Sequence, residues 1–420
     1  MINTPLGETE RVDVLQVFPG AAIPFRWNPL QIGTHINPER QMLATCELIR
    51  NAGQMGPRQL GFMRRALKAL YINHGVLTSY KEVLTDERWG YVQNTNEWAV
   101  LNAARAEWGL EERQQRGRLR LLELETFERQ ALAVYRSRKV DLAMWHAELE
   151  NIFDNLKPQE ISDKRALQGI LLRIEPLVEG EMGRMYGRSM GPRAIGIEDL
   201  GLLGLENDPW GISILEGGAE MDEFAKAVIF SLVAWHLYND AVVRRRLSIG
   251  RGAQQKLQIF FEEANKVLVG VAGTDSQEQG GNQDTSSLWL QMWRDGRKYG
   301  IWLHVIAQTV SELPPGILSS CNNAFFSQSK QPADRDLMMA HLAFSEKGFT
   351  DEDYKRFISR MPTAGNQRLH AICKLGYSMD VVHTTPFLCR PVWTETAEPT
   401  DVDVLRNHRK LHGGGETGDE

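Results

Sequence analysis

The sequence predicts an α/β protein in which a mostly parallel sheet is interrupted near its beginning by a large all-helical insertion. Three observations predict this class. Residues 12–18 form a β-rich run, residues 36–206 carry helical periodicity, and residues 207–395 alternate short apolar runs with helical stripes. Such alternation of strand and helix is typical of βαβ units around a parallel sheet.

The segment 1–35 is predicted to contain a strand and turns. Its β-rich run at 12–18 ends at Pro19-Gly20, and a second turn is expected at Asn28-Pro29-Leu30. We expect this segment to contribute the first part of the sheet.

The segment 36–206 is predicted to be the helical insertion. Apolar residues recur at helical spacing in three stretches, and residues 98–140 are dense in Arg, Glu, Leu and Ala, as in surface helices with opposite charges. The apolar stripes consist of Met42, Cys46, Leu48 and Ile49; of Leu60, Met63, Leu67 and Leu70; and of Leu167, Ile170, Leu171 and Ile174. The insertion is therefore expected to form a helical unit separate from the sheet.

The segment 207–395 is predicted to hold the main part of the sheet. Strands are expected at residues 212–215, 257–261, 301–307, 323–327 and 368–373. The last segment, 396–420, ends in glycines and charged residues and is expected to be a disordered tail.

Composition limits the possible classes of function. The chain has 420 residues, of which 42% are hydrophobic and 24% charged, and its formal net charge is −6. This indicates a globular protein of two or three packed units and excludes a surface covered with basic residues, although contact with nucleic acid along a limited path stays compatible. Four scattered cysteines without a CxxC pair indicate reduced thiols. The sequence shows no signal-peptide pattern and no apolar run of about 20 residues, so we expect a cytoplasmic protein with no integral membrane segment.

The most informative segment is the predicted strand at 257–261 with the two acids that follow it, Glu262 and Glu263. Open α/β sheets bind ligands at the carboxyl ends of their strands. Two acids at such a position can divide the work of nucleotide hydrolysis, the first holding Mg²⁺ and the second polarising the attacking water. Acids also end strands without any catalytic role, and the residues alone leave that alternative open.

Several motifs follow the acidic pair in a fixed order. They are Trp293-Arg-Asp-Gly-Arg-Lys-Tyr-Gly300, a strand that leads to Gln308-Thr309, Leu313-Pro-Pro-Gly-Ile-Leu318, Cys321-Asn322 and Ala333-Asp-Arg-Asp336. This order over residues 212–390 resembles the HerA/FtsK superfamily of P-loop motor ATPases, and within it the HerA-like and type IV secretion branches. The Asn28-Pro29-Leu30 turn also resembles a turn of that family. The resemblance implies a RecA-like core of the P-loop NTPase type, truncated at its amino terminus and interrupted by the helical insertion.

The resemblance also implies roles for individual residues. Glu263 matches the catalytic glutamate, and Glu262 matches the Walker B aspartate that contributes to ATP binding by holding Mg²⁺ indirectly. Gln308 matches a polar sensor at the tip of the neighbouring strand. Arg297, or less favourably Arg294, matches an arginine that reaches a nucleotide phosphate. Taken singly, Gln308 also fits a polar strand end, and both arginines also fit the carboxyl end of a helix.

Two features depart from the family pattern. The family's phosphate-binding loop, G-x-x-x-x-G-K followed by Ser or Thr, does not occur in this sequence, and Gly250-Arg-Gly-Ala-Gln-Gln-Lys256 lacks the final hydroxyl residue. We expect that the loop preceded Met1. The second departure is Glu262, which is one methylene longer than the aspartate of the family, and a smaller one is Asn265, where relatives often have histidine.

Two functions from different classes follow. The first is part of an ATP-driven DNA translocase that uses ATP and Mg²⁺, assembles as a homo-oligomeric hexameric ring, and works with a nuclease or with secretion machinery. The second is a catalytically degenerate subunit that serves as a structural or regulatory partner of an active motor. The coding sequence on the 5′ side of the Met1 codon discriminates between them.

Overall fold

In the computed structural model, the described residues are 12–21, 24–33, 36–77, 95–107, 121–188, 212–218, 221–247, 257–268, 288–313, 316–342, 350–361, 370–374, 386–389, 400, 402–403 and 405–406. The chain divides into two compact units. The first contains residues 1–257, 298–301 and 397–420, and the second contains residues 258–297 and 302–396. The predicted boundaries of the four segments remain a prediction, and most of the predicted tail lies outside the described residues.

Long helices dominate the first unit. Several begin at residues suited to the first turn: Asn37 accepts a hydrogen bond from the backbone of Arg40 at 3.0 Å, Pro38 follows it, and Asp141 accepts one from Met144 at 2.9 Å. The longer helices are α1 (Pro38–Ala52), α2 (Pro57–Asn73), α3 (Thr95–Glu107), α4 (Leu121–Ser137), α5 (Leu142–Asp154), α6 (Ile161–Val178) and α7 (Glu223–Leu247). The described residues between 36 and 188 contain helices and no strand.

Two strands that are separated in sequence by the whole helical segment pair with each other. β1 (Val12–Gln16) and β2 (Ile212–Glu216) are parallel, with Val12 opposite Ile212 and Gln16 opposite Glu216. At their carboxyl ends the Gln16 amide donates to the Glu216 carboxylate at 3.0 Å. The parallel arrangement expected for the sheet is thus observed for this pair.

The Asn28-Pro29-Leu30 turn is embedded among the helices. The Asn28 amide donates to the Val140 carbonyl at 2.8 Å, and the Tyr71 hydroxyl donates to the Leu30 carbonyl at 2.6 Å. The backbone N–H of Ile32 donates to the Ser137 hydroxyl at 2.9 Å. The turn and the helices therefore share one compact unit, and the helical segment packs directly on the residues that follow β1.

A single π-helical turn, Gly183–Gly187, closes the helical segment. A Cβ on Gly183 would run into the Val178 carbonyl, so this turn requires glycine for the close approach of two backbone segments. From the same turn the Tyr186 hydroxyl donates to the Val17 carbonyl at 3.0 Å. The turn thereby ties the end of α6 to the end of β1.

A buried polar cluster joins α7 to α1. The Trp235 indole N–H donates to Gln41 Oε1 at 3.1 Å, which fixes the orientation of the Gln41 amide, because the indole is a donor only. Gln41 Nε2 then donates to His236 Nε2 at 2.7 Å, so His236 is a neutral acceptor. Burial lowers the pKa of His236 to about 3, and the edge of Trp27 packs against its ring at 5.1 Å.

Two small sheets lie mainly in the second unit, and the first residue of each strand in one of them belongs to the first unit. β3 (Leu257–Phe261) lies beside β4 (Ile301–Val305). Leu257 N donates to Gly300 O at one end of the pair, and Ile306 N donates to Phe261 O at the other, so the two strands run in the same direction. Helix α8 (Leu288–Asp295) packs on this pair, where Trp289 meets Phe261 edge to face at 5.5 Å between ring centroids.

The other sheet of the second unit is antiparallel. β5 (Ala324–Phe326), β6 (Ala371–Lys374) and β7 (Phe387–Cys389) are hydrogen-bonded in that order. One face packs on α9 (Pro332–Leu342) and α10 (Asp351–Arg360). The apolar core between them consists of Ala324, Phe326, Met338, Met339, Leu342, Ile358, Met361 and Ile372.

The prediction of a mostly parallel sheet is therefore confirmed only in part. Among the described residues the strands form three small sheets, of which one is antiparallel. Alternating strand and helix does not fix direction, because an apolar run of four residues pairs equally well with a neighbour of either direction. No helix in the described part of the chain is long and apolar enough to span a membrane.

Candidate functional site

The acidic pair and Gln308 lie at one edge of the β3–β4 sheet. Glu262 and Glu263 follow β3 directly, and the ladder between the strands continues to Ile306, two residues before Gln308. Parallel neighbours end at the same edge of a sheet, so both acids and the glutamine follow strand ends on one side. The predicted juxtaposition of the strands is observed, while the catalytic roles of these residues stay a prediction.

Glu263 has an unusual backbone. Its φ of 47° and ψ of 47° lie in the left-handed region, which residues with a side chain rarely adopt. The conformation turns the chain abruptly from β3 into the helical turn Ala264–Val267, and Ala264 N donates to Ile306 O at 3.0 Å across the strands. Residues in strained backbone conformations persist only where surrounding contacts hold them, and they are found most often at functional sites.

The carboxylate of Glu263 is engaged by a lysine that sequence reasoning missed. Lys266 Nζ lies 2.7 Å from Glu263 Oε2, one helical turn later, and both side chains are about half exposed. Glu262 and Gln308 are exposed to solvent. The edge therefore presents one accessible carboxylate, one carboxylate paired with an ammonium group, and one amide.

The turn after Gln308 is tied to β3 on one side. The Asn265 amide donates to the Glu312 carboxylate at 2.8 Å, and Glu312 ends the 3₁₀ turn Val310–Glu312. This contact joins the residues that follow the acidic pair to the residues that follow Gln308. Asn265, noted from the sequence only as a departure from histidine, thus has a structural partner here.

Asp334 ties the same turn to α9. Its carboxylate is buried and accepts hydrogen bonds from Ser311 N at 2.8 Å and from the Ser329 hydroxyl at 3.3 Å. Sequence reasoning quoted Asp334 as part of a motif and assigned it no role. The sequence feature that could have indicated a structural role is its position two residues after Pro332, in the first turn of a helix.

The ring of His304 lies on β4 near this edge. It stacks on Phe260 with centroids 4.2 Å apart, and partial burial lowers the pKa of His304 below its usual value. At neutral pH this imidazole is uncharged. The charged groups described at this edge are therefore the carboxylates of Glu262, Glu263 and Glu312 and the ammonium group of Lys266.

The two candidate arginines lie at the opposite end of β4. Arg294 is in α8, and Arg297 is in the 3₁₀ turn Gly296–Tyr299 that precedes the strand. Both side chains are exposed. Since a strand rises about 3.3 Å per residue, the five residues of β4 put these arginines about 15 Å from the edge that carries Gln308. The structure does not bring them together with the acidic pair.

The donor set fits Mg²⁺ held with the help of water, phosphate and a single carboxylate. Mg²⁺ usually keeps several waters and takes one or two protein carboxylates, and Glu262 is an accessible carboxylate. Clusters of three or more His, Cys, Asp or Glu side chains that could hold a metal do not occur within the described ranges. The residues therefore fit a nucleotide-bound Mg²⁺ and not a metal held by the protein alone.

Comparison with known proteins gives one partial relative. No protein-family model matches the chain. Over 142 residues, which are 33% of this chain and 25% of the other, it is 25% identical to the "Probable helicase MJ1565" of Methanocaldococcus jannaschii. The matched region thus spans about a quarter of the length of that relative.

Among solved structures, the chain is similar to the bacterial conjugative coupling protein TrwBdeltaN70 in an unbound form. The TM-score is 0.48 and the sequence identity 10%, with 94% of this chain and 81% of the other covered. At this TM-score no shared fold is established.

Proposed function

We propose that this chain is part of an ATP-driven DNA-translocating motor of the HerA/FtsK type, with its hydrolytic residues at the carboxyl edge of β3 and β4. The observation that carries the proposal is the position of Glu262, Glu263 and Gln308 after two neighbouring parallel strands. Open α/β sheets bind ligands at such edges. The partial similarity to a probable helicase favours the same class of protein.

In this proposal the acidic pair divides the work of hydrolysis. Glu262 would help to hold Mg²⁺, and the ion would neutralise charge on the phosphates. Glu263 accepts a hydrogen bond from the attacking water and orients it. Gln308 contacts the transferring phosphoryl group from the neighbouring strand and reports its loss through the turn that follows.

Lys266 sets the resting state of Glu263 in this proposal. The ion pair at 2.7 Å favours the ionised carboxylate and holds it over the helical turn. Lys266 Nζ is bonded to Oε2 of Glu263, and orientation of a water by Glu263 requires a carboxylate oxygen. Because both groups are half exposed, the pair is weak enough to be exchanged for a new partner.

Arg297, or Arg294, is proposed to act on the neighbouring subunit of a homo-oligomeric ring. An arginine about 15 Å from the edge of its own subunit cannot grip a phosphate bound there. In a ring the amino end of β4 in one subunit can face the acidic edge of the next. The planar guanidinium then binds phosphate oxygens as charge develops on them.

A degenerate subunit is the second candidate. The sequence contains no G-x-x-x-x-G-K loop followed by Ser or Thr, Glu262 replaces an aspartate, and Asn265 is bonded to Glu312. Such a subunit would keep the ring contacts and lack turnover. It would act as a structural or regulatory partner of an active motor, with a nuclease or secretion machinery as possible associates.

The test is DNA-stimulated ATP hydrolysis by the chain joined to the coding segment that precedes its Met1 codon. If that segment encodes the phosphate loop in frame, we expect Mg²⁺-dependent turnover that rises with double-stranded DNA. A stop codon at that place, together with turnover by a loop-bearing partner that does not depend on Glu263 of this chain, rules out the motor and supports the degenerate subunit.

A further inference from the structure

Two of the four cysteines meet on adjacent strands of the antiparallel sheet. The sulfur atoms of Cys373 on β6 and Cys389 on β7 lie 2.8 Å apart. The two strands pair Ala371 with Cys389 and Cys373 with Phe387, so the cysteines are diagonal neighbours. Because side chains alternate along a strand, residues 371 and 373 point to one face, and Cys389, opposite Ala371, points to the same face.

The face that carries the cysteines is opposite to the apolar core of this unit. Ile372, between the two positions on β6, points the other way and packs in the core with Phe326 and Met338. A bond between Cys373 and Cys389 would therefore form on the face away from the core. The two sulfurs can approach each other while the core stays as it is. Both thiols are free in this structure.

We infer that Cys373 and Cys389 are a modification site, a dithiol that closes reversibly to an intramolecular disulfide between β6 and β7. The co-reactant is a low-molecular-weight disulfide such as oxidised glutathione. Disulfides in reducing compartments are most often transient and redox-sensing, and two adjacent thiols suit that use.

The burial of the two thiols sets the order of events. Cys373 is fully buried and Cys389 is half-buried, so an oxidant reaches Cys389 first. Burial, reinforced by the neighbouring Cys389, raises the pKa of Cys373 to about 12. Cys373 is therefore the resolving thiol and not the attacking one.

The chemistry balances in two exchange steps. The Cys389 thiolate attacks one sulfur of oxidised glutathione, a mixed disulfide forms, and one glutathione thiolate leaves. Cys373 loses its proton to solvent, attacks the Cys389 sulfur, and expels the second glutathione thiolate. Two protein thiols are oxidised by two electrons in total, and one glutathione disulfide is reduced to two thiols.

The disulfide would fix the strand that anchors α9. Lys374, next to Cys373, donates from its ammonium group to the His341 carbonyl near the end of that helix at 2.7 Å. Closing the segment between the two cysteines restricts the unfolded chain and so stabilises β6 against β7. The expected consequence is a redox-dependent stability of the second unit.

The other two thiols provide internal controls. Cys46 is fully buried in α1, and burial raises its pKa far above the usual value, so it stays unreactive in the folded protein. Cys321 is half-buried, and burial raises its pKa as well. Oxidation confined to Cys373 and Cys389 is therefore distinguishable from general thiol oxidation.

The experiment is titration of the full chain with oxidised glutathione, followed by counting of free thiols after unfolding. We expect the count to fall from four to two and to return to four with dithiothreitol. Trypsin cleaves after Lys374, which separates the two cysteines, so mass spectrometry should find the two peptides joined only in the oxidised sample. The melting temperature should rise on oxidation.

Two variants sharpen the test. Cys321→Ser should still lose two thiols, whereas Cys389→Ser should keep its remaining three and show no rise in melting temperature. A wild-type count that stays at four, that stops at three with glutathione attached to Cys389, or that falls through a bond to Cys321 would overturn the inference. The result for the wild type is sufficient to overturn the inference, so the test remains decisive even if a variant folds poorly.

Discussion

Glu263 combines a strained backbone with the position proposed for catalysis. A left-handed conformation costs a residue with a Cβ about 1–2 kcal/mol. Its φ of 47° is shared among the described non-glycine residues only by Gln54, at 48° in the turn between α1 and α2. Glycine adopts this conformation without strain, so a function of the side chain is one reason for glutamate at this position. Substitution by glycine shows whether the side chain is needed for activity or for stability.

We predict that Glu263→Gly folds at least as stably as the wild type. Relief of the left-handed strain offsets the entropy that glycine adds to the unfolded chain, for a net gain of up to about 1 kcal/mol. The ion pair with Lys266 is half exposed and contributes little to stability. Chemical denaturation of both proteins measures the difference.

Gln54→Gly is the matched control for this prediction, because Gln54 is exposed and has nearly the same positive φ. We expect a similar change in stability from it and no change in nucleotide hydrolysis. Loss of more than about 1 kcal/mol in Glu263→Gly alone would show that the side chain of Glu263 has a structural role.

His236 makes stability depend on pH in a defined window. The unfolded chain takes up a proton on this imidazole near pH 6.5, whereas the folded protein does so only near its lowered pKa of about 3. The stabilisation is therefore full above pH 6.5 and is lost as pH falls toward 3, at about 1.4 kcal/mol per pH unit. We predict that in His236→Gln the free energy of unfolding depends less steeply on pH between pH 6 and pH 4. The slope should be smaller than in the wild type by about 1.4 kcal/mol per pH unit.

The matched control is His74→Gln, at the half-buried end of α2. It removes an imidazole outside the cluster with Gln41, so a change of slope in His236→Gln that His74→Gln does not show is the expected result. An unchanged slope in His236→Gln would mean that His236 is protonated in the folded state and that the cluster with Gln41 is arranged differently.

Sequence reasoning found residues that are defined by their place after a strand and missed residues defined by contacts. Glu262 and Glu263 follow a run of five apolar and polar residues whose bounds coincide with β3. Lys266 and Glu312 are ordinary charged residues with no pattern of their own. Lys266 contacts Glu263, and Glu312 contacts Asn265, because of the turn that the left-handed backbone of Glu263 creates. The sequence alone does not reveal these contacts.

At the scale of elements, strands were easier to predict than the sheets they form. The runs at 212–215, 301–307 and 323–327 overlap observed strands, and β6 begins later than predicted, at Ala371. Pairing depends on which strands meet after the helices have packed, and short apolar runs contain no information on direction. The adjacency of β3 and β4 followed from the order of the motifs and not from periodicity.

Asp334 is predicted to be the main support of the turn after Gln308. Asp334→Ala should lower the free energy of unfolding by about 1–3 kcal/mol, because it leaves Ser311 N without its acceptor and removes a buried carboxylate that helps to begin α9. Thermal or chemical denaturation measures the loss.

Asp336→Ala on the same helix is the control. Asp336 is mostly exposed and pairs with Lys355 at 2.7 Å, so its loss should cost less than about 1 kcal/mol. Equal effects of the two substitutions would show that Asp334 does not support the turn.

At the scale of the whole molecule, the missing phosphate loop decides the activity of this chain by itself. No segment of the sequence offers the lysine and hydroxyl that follow glycine in that loop. We predict negligible ATP hydrolysis by the purified chain with Mg²⁺ and DNA. Turnover near a typical enzyme rate of roughly 10 s⁻¹ in a preparation free of other ATPases would contradict the prediction.

The central claim is that Glu263 performs the hydrolytic step, and substitution by glutamine tests it most directly. Glu263→Gln keeps size and hydrogen bonding and removes the charge that orients the attacking water. The measurement is ATP binding and ATP turnover in the smallest active assembly, either the chain joined to an upstream segment that encodes a phosphate loop or the chain with a loop-bearing partner.

The account predicts that Glu263→Gln lowers turnover by ~10²–10⁴ with little change in ATP affinity, whereas Glu262→Gln weakens Mg²⁺-dependent binding. Gln54→Gly, whose position lies outside the acidic edge, serves as the control and should keep both ATP binding and turnover. Wild-type turnover in Glu263→Gln, measured beside an active wild-type assembly, would contradict the assignment and leave the acidic pair as a strand end.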